Sequence, residues 1–262
     1  MKRYLKLYYH FLRNRLMREM EFRVNLLTWT GMNFLWFGLG FISIELIFGQ
    51  IDSIAGWQKN EVMLLFFTNA LFFDFIWTFF LDGLNNFSHL IRHGELDLVL
   101  LKPVKSRFLV SFREPEFDHY LRIIFLIYMI KRLLFQMAVK VSFLGWLGYW
   151  LIFLMAVFAF YNFLFSLVTA NFWFTRLYNL GELVESAVSI GRYPLVIFKN
   201  ELRFFFTFLV PVALCAYYPV MIILGRAGPE VIGIAFIIDL VTFGFSQWFW
   251  HFALKHYQSA SS

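Results

Sequence analysis

Apolar runs of bilayer-crossing length, separated by short polar stretches, fill most of the chain after its first 23 residues. A helix needs about 20 mostly apolar residues to cross the hydrocarbon core. Six segments meet that requirement: 24–48, 61–81, 121–141, 143–174, 204–224 and 230–252. The third is interrupted by Lys131-Arg132, and the fourth is longer than one crossing requires. Ahead of the first, Leu5, Tyr8, Tyr9, Leu12, Leu16 and Met20 recur at helical spacing. Lys2, Arg3, Lys6, His10, Arg13 and Asn14 fall mainly on the other side, so this helix is basic and amphipathic and suits the headgroup region. The pattern predicts an all-α membrane protein, with an interfacial helix over 1–23 and a six-span domain over 24–262.

Composition strengthens that reading. Hydrophobic residues make up 60% of the chain and charged residues only 15%, against roughly 25% charged in soluble domains. Too few polar residues remain to make a skin, so lipid must cover much of the surface. The 37 phenylalanines point the same way, since Phe favours insertion. A single cysteine, Cys215, excludes an internal disulfide and reads as a small buried side chain.

Charge adds an orientation. Seven basic residues precede Val24 and abut the first span, which favours anionic lipid headgroups over nucleic acid as their partner. With the N-terminus in the cytoplasm, segments 1–23, 82–122, 171–203 and 253–262 carry 18 Lys and Arg, and the outer connections carry only Lys59, Lys140 and Arg226. That asymmetry places both termini in the cytoplasm. The first apolar run starts too late, and is too long, for a cleavable signal peptide.

Candidate chemistry is sparse. No Gly-Lys-Ser/Thr triplet marks a phosphate loop, and no Cys/His set marks a metal. His89 and His93 could share one helix face but lack a third ligand, and Gly145 and Gly148 suit close helix packing. Glu45, Asp74, Lys131, Arg132 and Asp239 fall inside the spans, where ionisable groups are costly and mark ion pairs, gates or substrate contacts. Asp74, Lys131 and Asp239 lie at depths of roughly 10, 15 and 18 Å, counted at 1.5 Å per residue. These depths allow pairing between Asp and Lys or Arg across helices. Pro211 and Pro219 each remove a helical hydrogen bond from the fifth span and predict kinks. Most distinctive is 92–103, where Gly94 suits a sharp turn and Pro103 a stop. Glu95 and Asp97 head the short apolar stretch between them, an element suited to a partner's groove.

Gly94-Glu95-Leu96-Asp97, followed by Leu100-Leu101-Lys102-Pro103-Val104, resembles the inner-loop motif of bacterial ATP-binding-cassette type-2 permeases. Gly191-Arg192-Tyr193-Pro194 with Ile197-Phe198, the two prolines Pro211 and Pro219, and Trp250, Lys255 and Tyr257-Gln258-Ser259-Ala260-Ser261 extend the likeness over nearly the whole chain. The branch it is most similar to is the uncharacterised-permease group paired with daunorubicin-exporter-like ATPases. The resemblance implies a transmembrane exporter subunit in the bacterial cytoplasmic (inner) membrane. It further implies a second permease subunit, either a copy or a sister chain, and cytosolic ATPases that hold ATP and Mg, with no cofactor on this chain. The residues at the family's coupling helix are Glu95, Leu96, Asp97, Leu100, Lys102 and Pro103. A hydrophobic or lipid-like substrate would suit so aromatic a chain. Two other classes are weighed: an ion-driven carrier or channel using Asp74, Lys131, Arg132 and Asp239, and a lipid-modifying membrane enzyme using His89 or His93. The first lacks visible inverted repeats, and the second lacks a nucleophile–base set.

Overall fold

The computed structural model describes residues 2–174 and 180–257, most of them helical. Helix α1 (Lys2–Glu21) leads into α2 (Arg23–Phe48). A hairpin of β1 (Ser53–Ile54) and β2 (Trp57–Gln58) follows. Its two turn residues, Ala55 and Gly56, both take positive φ, as a tight two-residue hairpin demands. The hairpin opens α3 (Lys59–Ile76), whose first turn closes a capping box when the Gln58 amide donates to the Glu61 carboxylate at 3.0 Å. The same helical rod then passes through a π turn at Trp77–Leu81 into α4 (Asp82–Asn85) and α5 (Phe87–Arg92).

Next come two short helices, α6 (Glu95–Leu100) and α7 (Ser106–Phe112), then α8 (Tyr120–Gln136) and α9 (Phe143–Thr169). After α10 (Leu180–Ile190) the chain runs through α11 (Asn200–Phe204), α12 (Val212–Cys215) and α13 (Tyr217–Ile223) to α14 (Glu230–His256).

Among the described residues, four helical stretches are long and apolar enough to cross a membrane: Arg23–Phe48, Lys59–Arg92, Phe143–Phe172 and Glu230–His256. These match the first, second, fourth and sixth expected spans. The third differs in length. Helix α8 holds 17 residues, ends at Gln136 rather than at 141, and is followed by Ala138 at φ +52°. The fifth expected span is not one helix. A π turn at Phe205–Leu209 ends in extended backbone at Val210, and Ala216 breaks the helix again before α13. Pro211 sits at the first break, whereas Pro219 lies in the first turn of α13, where a missing N–H costs nothing. Of the residues carrying the family resemblance, Gln258 to Ser261 lie outside the described residues, as does Arg176 among the loop charges.

Helices α3 and α9 form the core. Phe67, Phe72, Tyr149, Phe153, Phe160 and Phe165 are all buried, with edge-on ring pairs such as Phe72 to Phe153 and Phe160. Several core hydroxyls find partners within the fold, as lipid favours. Thr68 and Tyr149 share a hydrogen bond of 3.1 Å, and Thr169 donates to the Phe165 carbonyl one turn back. Gly148 packs against Ile222, where an added Cβ would meet the side chain at 2.9 Å, as expected of a close-packing glycine. Gly145 differs: its amide is capped by the Ser142 hydroxyl at 3.0 Å, and its nearest neighbours are local. Helix α2, by contrast, buries only Phe37 and Ile44 and leaves the rest of an apolar surface outward.

At Gly83 the rod meets the backbone of α7. An added Cβ would stand 2.6 Å from the Val110 carbonyl oxygen and 2.7 Å from that of Ser111. Gly83→Ala is therefore expected to destabilise the fold by about 1–3 kcal/mol through overpacking. Gly233→Ala, with nothing within 4 Å, serves as the neutral control. Thermal unfolding of the purified variants in detergent measures both.

Candidate functional site

One acid organises the interior. Asp74, fully buried on α3, accepts hydrogen bonds from Arg122 Nε at 2.9 and 3.1 Å, a further one from Arg122 Nη2, and one from His119 Nδ1 at 2.8 Å. His119 caps α8 and Arg122 follows it by three residues, so both reach Asp74 from one helical face. Arg122 also donates to the Asn33 carbonyl on α2, and Asn33 in turn donates to Asp118 at 3.0 Å. A carboxylate that accepts this many charge-assisted bonds is paired as a buried charge must be.

Around this pair lies a cavity of about 510 Å³, walled by α2, α3, the 116–119 loop and α10. Aromatic rings such as Trp29, Trp36, Phe73 and Trp77 face Arg15, Glu116, Asp118 and Arg192 across it. Arg15 on α1 reaches Glu19 at 2.8 Å, Asp82 at 3.3 Å and Glu116 at 3.8 Å, which fastens the N-terminal helix to the cavity rim. Burial, then the neighbouring carboxylates of Asp82 and Asp118, push the Glu116 carboxyl up to about 10, with Arg15 opposing.

The expected intramembrane charges do not converge. Asp74 pairs with Arg122 and His119, not with Lys131 or Arg132, which are exposed on α8 and make no ion pair among the described residues. Lys131 instead borders a smaller cavity of about 320 Å³ beside Trp146 and Trp150. Asp239 on α14 is buried and makes no ion pair among the described residues, and its Oδ1 has no hydrogen-bond partner. Glu45 pairs with Lys59 at 2.5 Å. His89 and His93 stack at 3.9 Å on the surface, with the His93 ring against the His89 carbonyl.

The 94–103 element forms as a helix one and a half turns long. Gly94 takes φ +68°, which suits glycine, and α6 begins directly after it. Leu96 and Val99 are buried and hold α6 against the rod, while Glu95, Leu98, Leu100, Leu101, Lys102 and Pro103 face outward and Asp97 is half-buried. Leu96 is thus an anchor rather than an exposed contact. Leu101, 81% exposed, is an apolar tip that none of the described residues covers. Helix α7 then returns into the core through Arg107, which donates to the Tyr161 hydroxyl at 3.1 Å and to the Asn162 side chain. The Arg107 guanidinium lies 4.3 Å from the Phe165 ring centroid and 5.8 Å from that of Phe243.

Arg107, Glu116, Asp118, His119 and Arg122 all escaped the sequence reading, which counted the arginines as loop charges. Their signal was the density of ionisable groups in 113–122 immediately ahead of an apolar helix, with His119 and Arg122 three apart.

A rod of α3 to α5 packed on α9, an exposed short helix and a wide apolar surface define the class: a predominantly helical membrane protein. Residues 34–261 match the ABC-2 family transporter proteins, and the chain belongs to that family. No curated protein and no solved structure matches it.

Replacing Asp74 with Ala leaves Arg122 buried beside no counter-charge and is expected to cost about 3–5 kcal/mol. The double variant Asp74→Leu with Arg122→Met, which removes both charges at similar volume, should recover most of that loss in the same detergent unfolding assay.

Proposed function

We propose that this chain is the permease subunit of an ATP-binding-cassette exporter, driven by ATP hydrolysis on a separate cytosolic subunit that holds the nucleotide and Mg. The observation that carries the reading is the α6 element, anchored inward by Leu96 and Val99 and turned outward at Leu98, Leu100, Leu101 and Lys102. Family membership supports an ATPase partner. In this reading α6 seats on that ATPase, with Glu95 and Asp97 at its start and Pro103 closing its far end. Both termini lie in the cytoplasm, and α8 and the broken 200–223 segment complete six crossings of the bacterial inner membrane. Helix α1 lies along the inner headgroups, and the apolar face of α2 meets lipid or a second permease subunit. The substrate is hydrophobic or lipid-like, in keeping with the aromatic cavity wall.

The route from α6 to the spans runs through α7. Arg107 locks α7 to Tyr161 and Asn162 on α9, so displacement of α6 bears on the helix at the centre of the core.

Leu101→Asp and Lys102→Glu alter only exposed positions, so membrane levels of the protein should not change. Co-purification with the cytosolic ATPase should fall roughly tenfold or more, about 1.4 kcal/mol of binding, and ATP-dependent export should fall with it. Undiminished export by a variant lacking 94–103 would overturn the assignment.

A further inference from the structure

Next to the Asp74 pair is a cluster that the transport reading does not use. We infer that Glu116, Asp118 and His119 form a binding site for one divalent transition-metal ion of the zinc or manganese kind. Each residue offers one ligand atom, and these atoms lie within 4.8 Å of one another. Two ligands on opposite sides of one ion at 2.0–2.2 Å stand at most roughly 4.4 Å apart. A tetrahedral set places its ligand atoms about 3.4 Å apart, so the two carboxylates close on the ion by side-chain rotation of about an ångström.

The histidine is what makes this more than a group of acids. Its side chain is 3% exposed, and its ring is enclosed by Phe73 and Trp77. Asp74 accepts from Nδ1 at 2.8 Å, so that nitrogen is occupied and Nε2 is the one available to a metal. Nε2 has no hydrogen bond of its own; it faces Asp118 Oδ2 at 3.7 Å, beyond hydrogen-bonding reach. A carboxylate behind one imidazole nitrogen, with the other nitrogen bare and aimed at acids, is the arrangement that orients a metal-ligating histidine.

The acids are also incompletely satisfied. Asp118 Oδ1 and Glu116 Oε2 are buried and have no hydrogen-bond partner. Buried polar atoms without partners are uncommon, and two on neighbouring acids call for an explanation that a ligand supplies. Acidic side chains gather here: Glu19, Asp74, Asp82, Glu116, Asp118 and Glu185 stand beside Arg15, Arg122 and Arg192. One imidazole with two carboxylates favours a borderline transition ion over calcium or magnesium, which prefer all-oxygen sites. The cavity that Glu116, Asp118 and His119 line provides a path and room for water ligands. Bound there, the ion would fasten the 116–119 loop beside α1 and α3.

The test uses the full chain in detergent, freed of any affinity-tag histidines, stripped with chelator, and carrying His89→Ala and His93→Ala to remove the surface pair. Zn²⁺ content after equilibrium dialysis should be one ion per chain, with micromolar or tighter affinity. Bound Mn²⁺ should show nitrogen coupling from one imidazole by pulsed paramagnetic resonance. Asp118→Asn and Glu116→Gln should each weaken binding at least tenfold while leaving metal-free thermal unfolding close to that of the parent. If a variant does not fold, the parent decides: one Zn²⁺ with imidazole nitrogen on Mn²⁺ upholds the site. Absent or substoichiometric binding, or Mn²⁺ without nitrogen coupling, overturns it, as does binding unchanged in folded Asp118→Asn.

Discussion

The architecture depends on keeping one carboxylate, Asp74, out of lipid. A charge in the middle of an apolar helix forces its surroundings to supply both counter-charge and cover. Arg122 supplies the charge, His119 a second donor, and the carbonyl of Asn33 takes up a further guanidinium hydrogen. Three helices are drawn to one point, because Asp74 stands on α3, Arg122 on α8 and Asn33 on α2. Helix α2 buries almost nothing else, so this polar knot, with the ring contacts of Phe37, fixes its position along α3. The cavity beside the knot follows from the same arrangement. Charged side chains that must keep their hydrogen bonds cannot collapse on one another as aliphatic ones would.

A second polar insertion ties the short helices to the spans. Arg107 enters the core from α7 with its guanidinium among Tyr161, Phe165 and Phe243, and Ser111 of the same helix shares a 2.8 Å hydrogen bond with Tyr161. In a low-dielectric interior these contacts are stiff, because breaking any of them strands a buried polar group. Gly83 adds a backbone-to-backbone contact to the other side of α7. Helices α6 and α7 are therefore packed onto α3–α5 and α9 by buried contacts, although they lie where a cytoplasmic connection between two spans is expected.

What was legible in the sequence was whatever depends on length and apolar content. The spans that became α2 and α14 were placed to within a few residues, and the second was placed at its start though its helical rod runs on to Arg92, because burial in lipid needs long apolar runs whatever their neighbours. The 94–103 element was also legible, since a glycine at positive φ and a terminal proline act locally. Partnership was not. Lys131 and Arg132 looked like the basic partners of Asp74 because they stand inside an apolar run, yet helix α8 turns them outward. Arg122, at the edge of the same run, turns inward. Helical phase decides this, and phase is set by tertiary contacts such as that of His119 with Asp74, which no single segment encodes.

The broken fifth segment shows the same limit from another side. A run of apolar residues from 204 to 224 satisfies the length rule, but the rule assumes that lipid surrounds the helix. Backbone that leaves helical geometry is tolerated at membrane depth only where protein covers it. Val212, Ala213, Leu214, Cys215 and Ala216 are each fully buried, and Cys215 still finds the Pro211 carbonyl at 3.4 Å. The break is permitted because α9 lies over it, with Gly148 making room for Ile222 just beyond. Both prolines accompany a break: Pro211 sits at the first, and Pro219 stands three residues after the second at Ala216, where a continued helix would set its ring against the Cys215 carbonyl.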